Sequence, residues 1–230
     1  LREAIILAGG FGTRLRSVVA DVPKPLAPVA GEPFLLRLLR HLAGAGIERV
    51  ILSVGYLAEQ IEAAAGGTHA GMDILYSRED EPLGTGGAMR QAMGLLTSDR
   101  ALILNGDTFL DVDAAAMDQL WQETGHPVIA VRQVPDTARY GRIGLDGSRI
   151  VSFGDKVAGE GVINAGVYLF PADLFDGFDL ASPFSVEADF LAHEVRRRDF
   201  AGLCCDGYFI DIGVPEDYVR AQTELPGRMA

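Results

Sequence analysis

The stretch IILAGGFGTRLRSVVADVPKPLAPVAG, Ile5 to Gly31, decides how the rest of the chain is read. Glu3 to Leu7 has the apolar run of a buried strand, and it ends in the Gly9–Gly10 turn. In an open parallel sheet, ligands bind beyond the carboxyl ends of the strands. Glycines there let backbone N–H groups approach a polyanion without a Cβ in the way. No Gly-Lys-Ser/Thr follows, so this is not the ATPase phosphate loop, and Leu15 breaks the dinucleotide fingerprint. Such a turn alone serves packing as readily as a ligand. Arg14, just past the turn, adds a fork suited to phosphate oxygens. Lys24 adds a compact charge, and Pro23 and Pro25 stiffen the backbone on either side of it. Together they predict a nucleoside triphosphate site with Arg14 and Lys24 as fixed positive charge.

Outward from that stretch, strand and helix patterns alternate. Phe34 to Ala43 is apolar at helical spacing, with Arg37 and Arg40 expected outward and Gly44 and Gly46 as the stop. Arg49 to Val54 reads as a strand, Ala58 to Ala65 as a helix, Met72 to Tyr76 as a strand and Gly87 to Leu96 as a helix. Ala101 to Leu104 is a strand ending in Asn-Gly-Asp, and Asp113 caps a helix reaching Glu123. This order implies a parallel sheet with helices on both faces. The second half is richer in strands: Pro127–Gln133, Gly141–Leu145, Ile150–Phe153 and Val162–Phe170, with Leu145 to Ser148 as a hairpin turn. Ser182–Pro183 or Ser185 opens a helix to about Arg198; Leu203 to Ile212 is a late strand, and Pro215 to Thr223 a last helix. We expect one α/β domain over residues 1–230, a Rossmann-like three-layer α/β/α fold with a mostly parallel central sheet and a small additional β layer.

Composition narrows the functional classes. A chain of 230 residues can bury a proper core. No apolar run approaches the ~20 residues of a membrane span. The net charge of −12 argues against nucleic acid and anionic membranes as partners. Cys204 and Cys205 are adjacent, which is neither a disulfide framework nor a zinc pattern, so a reducing cytoplasm is the expected compartment. Of 20 basic residues only Lys24 and Lys156 are lysines. They stand either where a compact ammonium is needed or by chance. The sequence sets no oligomeric state.

Phosphate chemistry calls for carboxylates at strand ends. Asp107 follows one buried strand and Asp211 another, and two such carboxylates can share one Mg²⁺ with phosphate oxygens. Asp107 reads equally as a turn residue. Asp111 and Asp113 read as turn and cap.

LAGGFGTRL, VPKPLAPVAG, EPLGTGGA, NGD, GVINAGVYLF and IDIGVPEDY occur in this order. Together, from Ile5 to about Ala221, they resemble the sugar-1-phosphate nucleotidyltransferases. GFGTRLRSVVADVPKPLAPV, NGDTFLDVD and FSVEADFL are similar to the D-glycero-α-D-manno-heptose 1-phosphate guanylyltransferase branch. The resemblance implies the reaction of an NTP with a sugar 1-phosphate to give an NDP-sugar and pyrophosphate, with Mg²⁺, in the service of bacterial surface glycans. It implies that Leu7, Ala8, Gly9 and Gly10 face the base and ribose, that Gly12, Thr13 and Arg14 hold the β- and γ-phosphates, and that Lys24 works at the α-phosphate. Asp107 and Asp211 would hold Mg²⁺, and Gly84 and Thr85 would line the base pocket. Lys156 would meet the sugar phosphate, with Gly141 and Asn164 near sugar hydroxyls. Asp155 stands where the family commonly has glutamate, which puts a direct sugar contact by that residue in doubt. Glu79 lies where several relatives read the base, and a carboxylate suits guanine N1–H and N2–H₂; a solvated loop is the competing reading. GTP is therefore the expected nucleotide.

The chemistry so implied is positioning and electrostatics. The nucleophile is a phosphate oxygen whose second pKa near ~6 leaves it dianionic at neutral pH. No general base is needed, and His41, His69, His126 and His193 read as ordinary residues. Alternatives are a mannose 1-phosphate guanylyltransferase, against which Arg14-Leu15-Arg16-Ser17 argues, and an amino-sugar 1-phosphate uridylyltransferase. A non-catalytic nucleotide-binding regulator would be signalled by loss of a metal aspartate or the phosphate arginine; both are present.

Overall fold

The computed structural model describes residues 1–10, 15, 19, 22–154, 158–179 and 181–229. Gly12, Thr13, Arg14, Asp155 and Lys156, all singled out above, lie outside the described residues.

The first half contains β1 (Glu3–Leu7), a 3₁₀ turn at Lys24–Leu26, β2 (Pro28–Val29), β3 (Glu32–Pro33), α1 (Phe34–Gly44), β4 (Arg49–Val54), α2 (Ala58–Ala65), β5 (Thr68–His69), β6 (Met72–Arg78), α3 (Gly84–Met93) and β7 (Arg100–Asn105). There follow β8 (Thr108–Leu110), α4 (Ala114–Thr124), β9 (Val128–Val134), β10 (Arg142–Asp146), β11 (Arg149–Phe153) and β12 (Gly161–Pro171). A π-helical stretch, Val186–Leu191, then runs into α5 (Ala192–Glu194), β13 (Ala201–Cys204), β14 (Phe209–Asp211) and α6 (Pro215–Glu224).

Ten strands form one sheet in the order β10-β11-β13-β9-β12-β7-β1-β4-β6-β5. β7, β1, β4 and β6 are parallel, as expected of the first half. The strands of the second half join this sheet, and the small additional β layer is a separate ribbon of β8 and β14. The sheet as a whole is mixed, because β12 runs antiparallel between β7 and β9.

Period-2 alternation along the strands divides the core. Ala4, Ile6, Val50, Leu52, Leu102 and Leu104 face one side, where α1, α2, α4 and α6 bring Leu38, Ile61, Met117 and Ala221. Ile5, Ile51, Ala101 and Ile103 face the other, against Met89 of α3 and Phe190 and Leu191 after it. The near-continuous apolar strands are thus explained by helical cover on both faces.

Local signals account for most boundaries. Asp113 caps α4, accepting from the N–H groups of Ala115 and Ala116 at 2.8 and 3.2 Å. Pro215 occupies the first turn of α6. Four readings are corrected. Arg37 does not point outward, its side chain being 11% exposed, whereas Arg40 stays 37% exposed; both pair with Glu32, and Arg37 also donates to the Val29 carbonyl, so they pin the β2–β3 hairpin to α1. α3 starts at Gly84, three residues early, because the Gly86 N–H reaches the Phe184 carbonyl at 2.9 Å. Ser185, not Ser182, opens the late helix, and regular turns stop at Glu194. The expected strand Leu203–Ile212 is two strands in different sheets, since the chain turns at Asp206–Gly207 and Gly207 packs on the Asp111 backbone.

Candidate active site

The carboxyl ends of β1, β4 and β7 border a cavity of about 420 Å³. Leu7, Ala8, Gly9, Gly10, Lys24, Glu79, Gly84, Thr85 and Asp107 all line it, as do Ser53 and Asn105. Hydrogen bonds between strand ends shape its floor: Ala8 N–H to the Ser53 carbonyl at 2.8 Å, and Gly106 N–H to the Leu7 carbonyl at 2.9 Å. The glycine turn therefore opens into a concave site at the place the topology predicts.

One wall carries the base-side residues. Glu79 Oε2 accepts from the Leu83 N–H at 3.0 Å, while Oε1 lies against Gly9. One carboxylate oxygen is thus anchored and the other lies beside the glycine turn. Gly84 has φ +71°, and a Cβ there would strike the Phe184 carbonyl, so only glycine fits this start to α3. Thr85 Oγ1 accepts from the Val186 N–H at 3.0 Å, which ties the pocket to the π-helical stretch.

The Lys24 and Asp107 side of the cavity carries charge, and Asp211, which does not itself line the cavity, adjoins it through Lys24. Asp211 ends β14 and pairs in register with Thr108 of β8, and the Ile212 N–H bonds to the Asp107 carbonyl at 2.9 Å. This ribbon is why two carboxylates far apart in sequence meet. Lys24 is the cation between them: its ammonium donates to Asp107 Oδ2 and lies 4.0 Å from Asp211 Oδ1. Its side chain is only 10% exposed, which excludes the surface-lysine reading. The Gly213 N–H orients Asp211 Oδ1 at 2.7 Å. A Cβ on Gly213 would occupy the space of the Lys24 ammonium, so this glycine makes room for the cluster.

Sequence reasoning missed Arg139. It pairs with Asp217 of α6 at 3.0 Å and reaches Asp211 Oδ2 at 3.8 Å, so it steers the second oxygen of that carboxylate. No motif marks it; only its place beside Tyr140–Gly141 hints at it. The Tyr140 ring meets Phe209 of β14 edge-on, which ties the segment next to Arg139 to the strand that ends in Asp211. Ser53 was also missed; it is fully buried, and its hydroxyl has no partner among the described residues.

Asn164 is not free. Its amide donates to Tyr168 Oη and Glu187 Oε1, both at 2.6 Å. Neither it nor Gly141 lines the cavity. No histidine lines it either; His41 packs edge-on against Phe109. Cys204 and Cys205 are both free thiols, and burial pushes that of Cys205 up to about 11. Among the described residues no helix is long and apolar enough to cross a membrane.

Comparison with known proteins gives the site its context. The chain is 44% identical over 225 residues to a D-glycero-α-D-manno-heptose 1-phosphate guanylyltransferase of Aneurinibacillus thermoaerophilus, covering 97% of this chain and 98% of the relative. It is 42% identical to one of the same name from Campylobacter jejuni, covering 94% and 96%. The fold superposes on the crystal structure of HddC from Yersinia pseudotuberculosis complexed with GMP-PN with a TM-score of 0.85 at 34% identity, covering 98% of this chain and 100% of that one. The sequence profile described as nucleotidyl transferase matches residues 3–227, and the chain belongs to that family.

Proposed function

We propose that the protein transfers the guanylyl group of GTP to D-glycero-α-D-manno-heptose 1-phosphate, forming the GDP-sugar and releasing pyrophosphate. The observation that carries this is the Lys24–Asp107–Asp211 cluster at the rim of the glycine-lined cavity, in a chain so similar to two enzymes of that name.

In this reading a phosphate oxygen of the sugar phosphate attacks the α-phosphorus of GTP, and the bond to the β-phosphate oxygen breaks. The obstacle is repulsion between a dianion and a polyanion. Lys24, largely shielded from solvent and held by a stiff turn, places one positive charge at the α-phosphate without reorganisation. Arg14 and Lys156 add charge at the leaving and attacking phosphates. The backbone of Gly9 and Gly10 leaves room for the nucleotide, and Gly141 would stand near the sugar.

Asp107 and Asp211 are the residues that would hold Mg²⁺. The fit rests on their converging on one cation already, the Lys24 ammonium, with hard carboxylate oxygens. When bound, the metal ion neutralises charge on the triphosphate. Glu79 Oε1 is the acceptor for guanine N1–H and N2–H₂. A cytoplasmic location, with a nucleotide substrate and two free thiols, belongs to the same reading.

Pyrophosphate release with each NTP, Mg²⁺ and a panel of sugar 1-phosphates tests it. GTP with the manno-heptose phosphate should be the best pair. ITP, which lacks the N2 amino group, should lose ~1.5–3 kcal/mol of transition-state binding. Equal use of GTP and ITP would remove Glu79 from base reading, and a preference for UTP would overturn the guanylyl assignment.

A further inference from the structure

Asn164 has spent both amide hydrogens inside the protein, on Tyr168 and Glu187. Its Oδ1 accepts from the Gly166 N–H at 3.1 Å, which fixes which end of the amide is oxygen. Tyr168, fully buried, also donates its hydroxyl to Glu187 Oε1, at 3.3 Å. One hydrogen from Asn164 and the hydroxyl of Tyr168 thus converge on one oxygen of one carboxylate. Glu187 itself is exposed, and its Oε2 has no partner among the described residues. A neutral acceptor would satisfy Asn164 and Tyr168 equally well, so the fold has no use for the charge. What the arrangement provides is an aimed carboxylate with one oxygen free.

Its location says what the free oxygen can meet. The neighbouring Val186 N–H is bonded to Thr85, which lines the cavity. Gly166 packs on the Asn105 amide, and Asn105, also in the cavity wall, precedes Asp107 by two residues on the same strand end. Glu187 does not itself line the cavity, but it is tied by two routes to residues that do. It also sits in the FSVEADFL segment, on a π-helical turn, a feature frequent at functional sites.

We propose that Glu187 reads the sugar: Oε2 accepts hydrogen bonds from ring hydroxyls of the pyranose 1-phosphate, and Asn164 and Tyr168 act as positioning residues that aim it. This rests on the sugar 1-phosphate reading above. Charge-assisted hydrogen bonds are the strong ones. A carboxylate left unpaired by a sugar lacking the matching hydroxyl is penalised, which is where discrimination arises.

The test compares wild type, Glu187→Gln, Glu187→Ala and Tyr168→Phe, with GTP and a series of sugar 1-phosphates each lacking one ring hydroxyl. For both Glu187 variants the KM for the sugar 1-phosphate should rise roughly ten- to a hundredfold, with the KM for GTP unchanged. One deoxy sugar should cost wild type a similar factor and leave Glu187→Ala indifferent. Tyr168→Phe should raise the sugar KM by less. Wild-type turnover with unchanged sugar KM in both Glu187 variants would overturn this role and leave the guanylyltransferase reading standing. If wild type released no pyrophosphate with any sugar 1-phosphate, both would fall.

Discussion

At the residue scale, Lys24 concentrates the argument. Its ammonium fills a space bounded by two carboxylates and a glycine, and a single added carbon on Gly213 would already collide with it. A guanidinium is wider and planar, so Lys24→Arg keeps the charge and loses the fit. We expect kcat to fall at least ~10-fold, about 1.4 kcal/mol of transition-state stabilisation. Steady-state kinetics of Lys24→Arg checks this, and wild-type values would reduce Lys24 to a structural ion pair. Both the reason for one lysine between two prolines and the reason for the glycine in IDIGVPEDY lie in this one contact.

At the element scale, the decisive junction is between α3 and the chain around Phe184. The Gly86 N–H bonds to the Phe184 carbonyl, and the Phe184 N–H bonds to the Leu83 carbonyl at 3.0 Å. These bonds pull the start of α3 back to Gly84 and present Thr85 to the cavity. Gly84→Ala forces a Cβ into the left-handed region, at about 1–2 kcal/mol, and against a carbonyl that cannot retreat without breaking this junction. Tm should fall by roughly 2–8 °C, and the KM for GTP should rise with it. Thermal unfolding and GTP titration of Gly84→Ala measure both, and an unchanged Tm would show that the loop yields freely.

At the scale of the whole molecule, one sheet separates two cores, and a half-buried histidine packed against the larger one links stability to pH. Burial lowers the pKa of His41, an effect that nearby Asp111 only partly offsets. The folded state therefore favours the neutral ring. As pH falls below ~6.5 the unfolded chain takes up the proton first, so stability drops until the folded-state pKa is passed. The slope from one such group is at most about 1.4 kcal/mol per pH unit. Urea unfolding of wild type and His41→Gln should diverge between pH ~7 and ~5, with wild type losing more as pH falls. Parallel curves would mean that His41 titrates alike folded and unfolded.

Periodicity and turn chemistry act within a few residues, so the sequence alone determined β1, β4 and α2, the Asp113 cap, the parallel half of the sheet and the glycine turn at a strand end. It also determined which residue types could carry phosphate chemistry. Tertiary structure alone decided that β12 runs antiparallel beside β7, that the strand expected at Leu203–Ile212 divides, and that β8 and β14 bring Asp107 and Asp211 to one lysine. It decided too that Arg139 steers Asp211 and that Asn164 is spent on Glu187. Each of these is a contact between segments distant in the chain. Its strength depends on which groups the packed sheet leaves facing one another, and no local pattern encodes that.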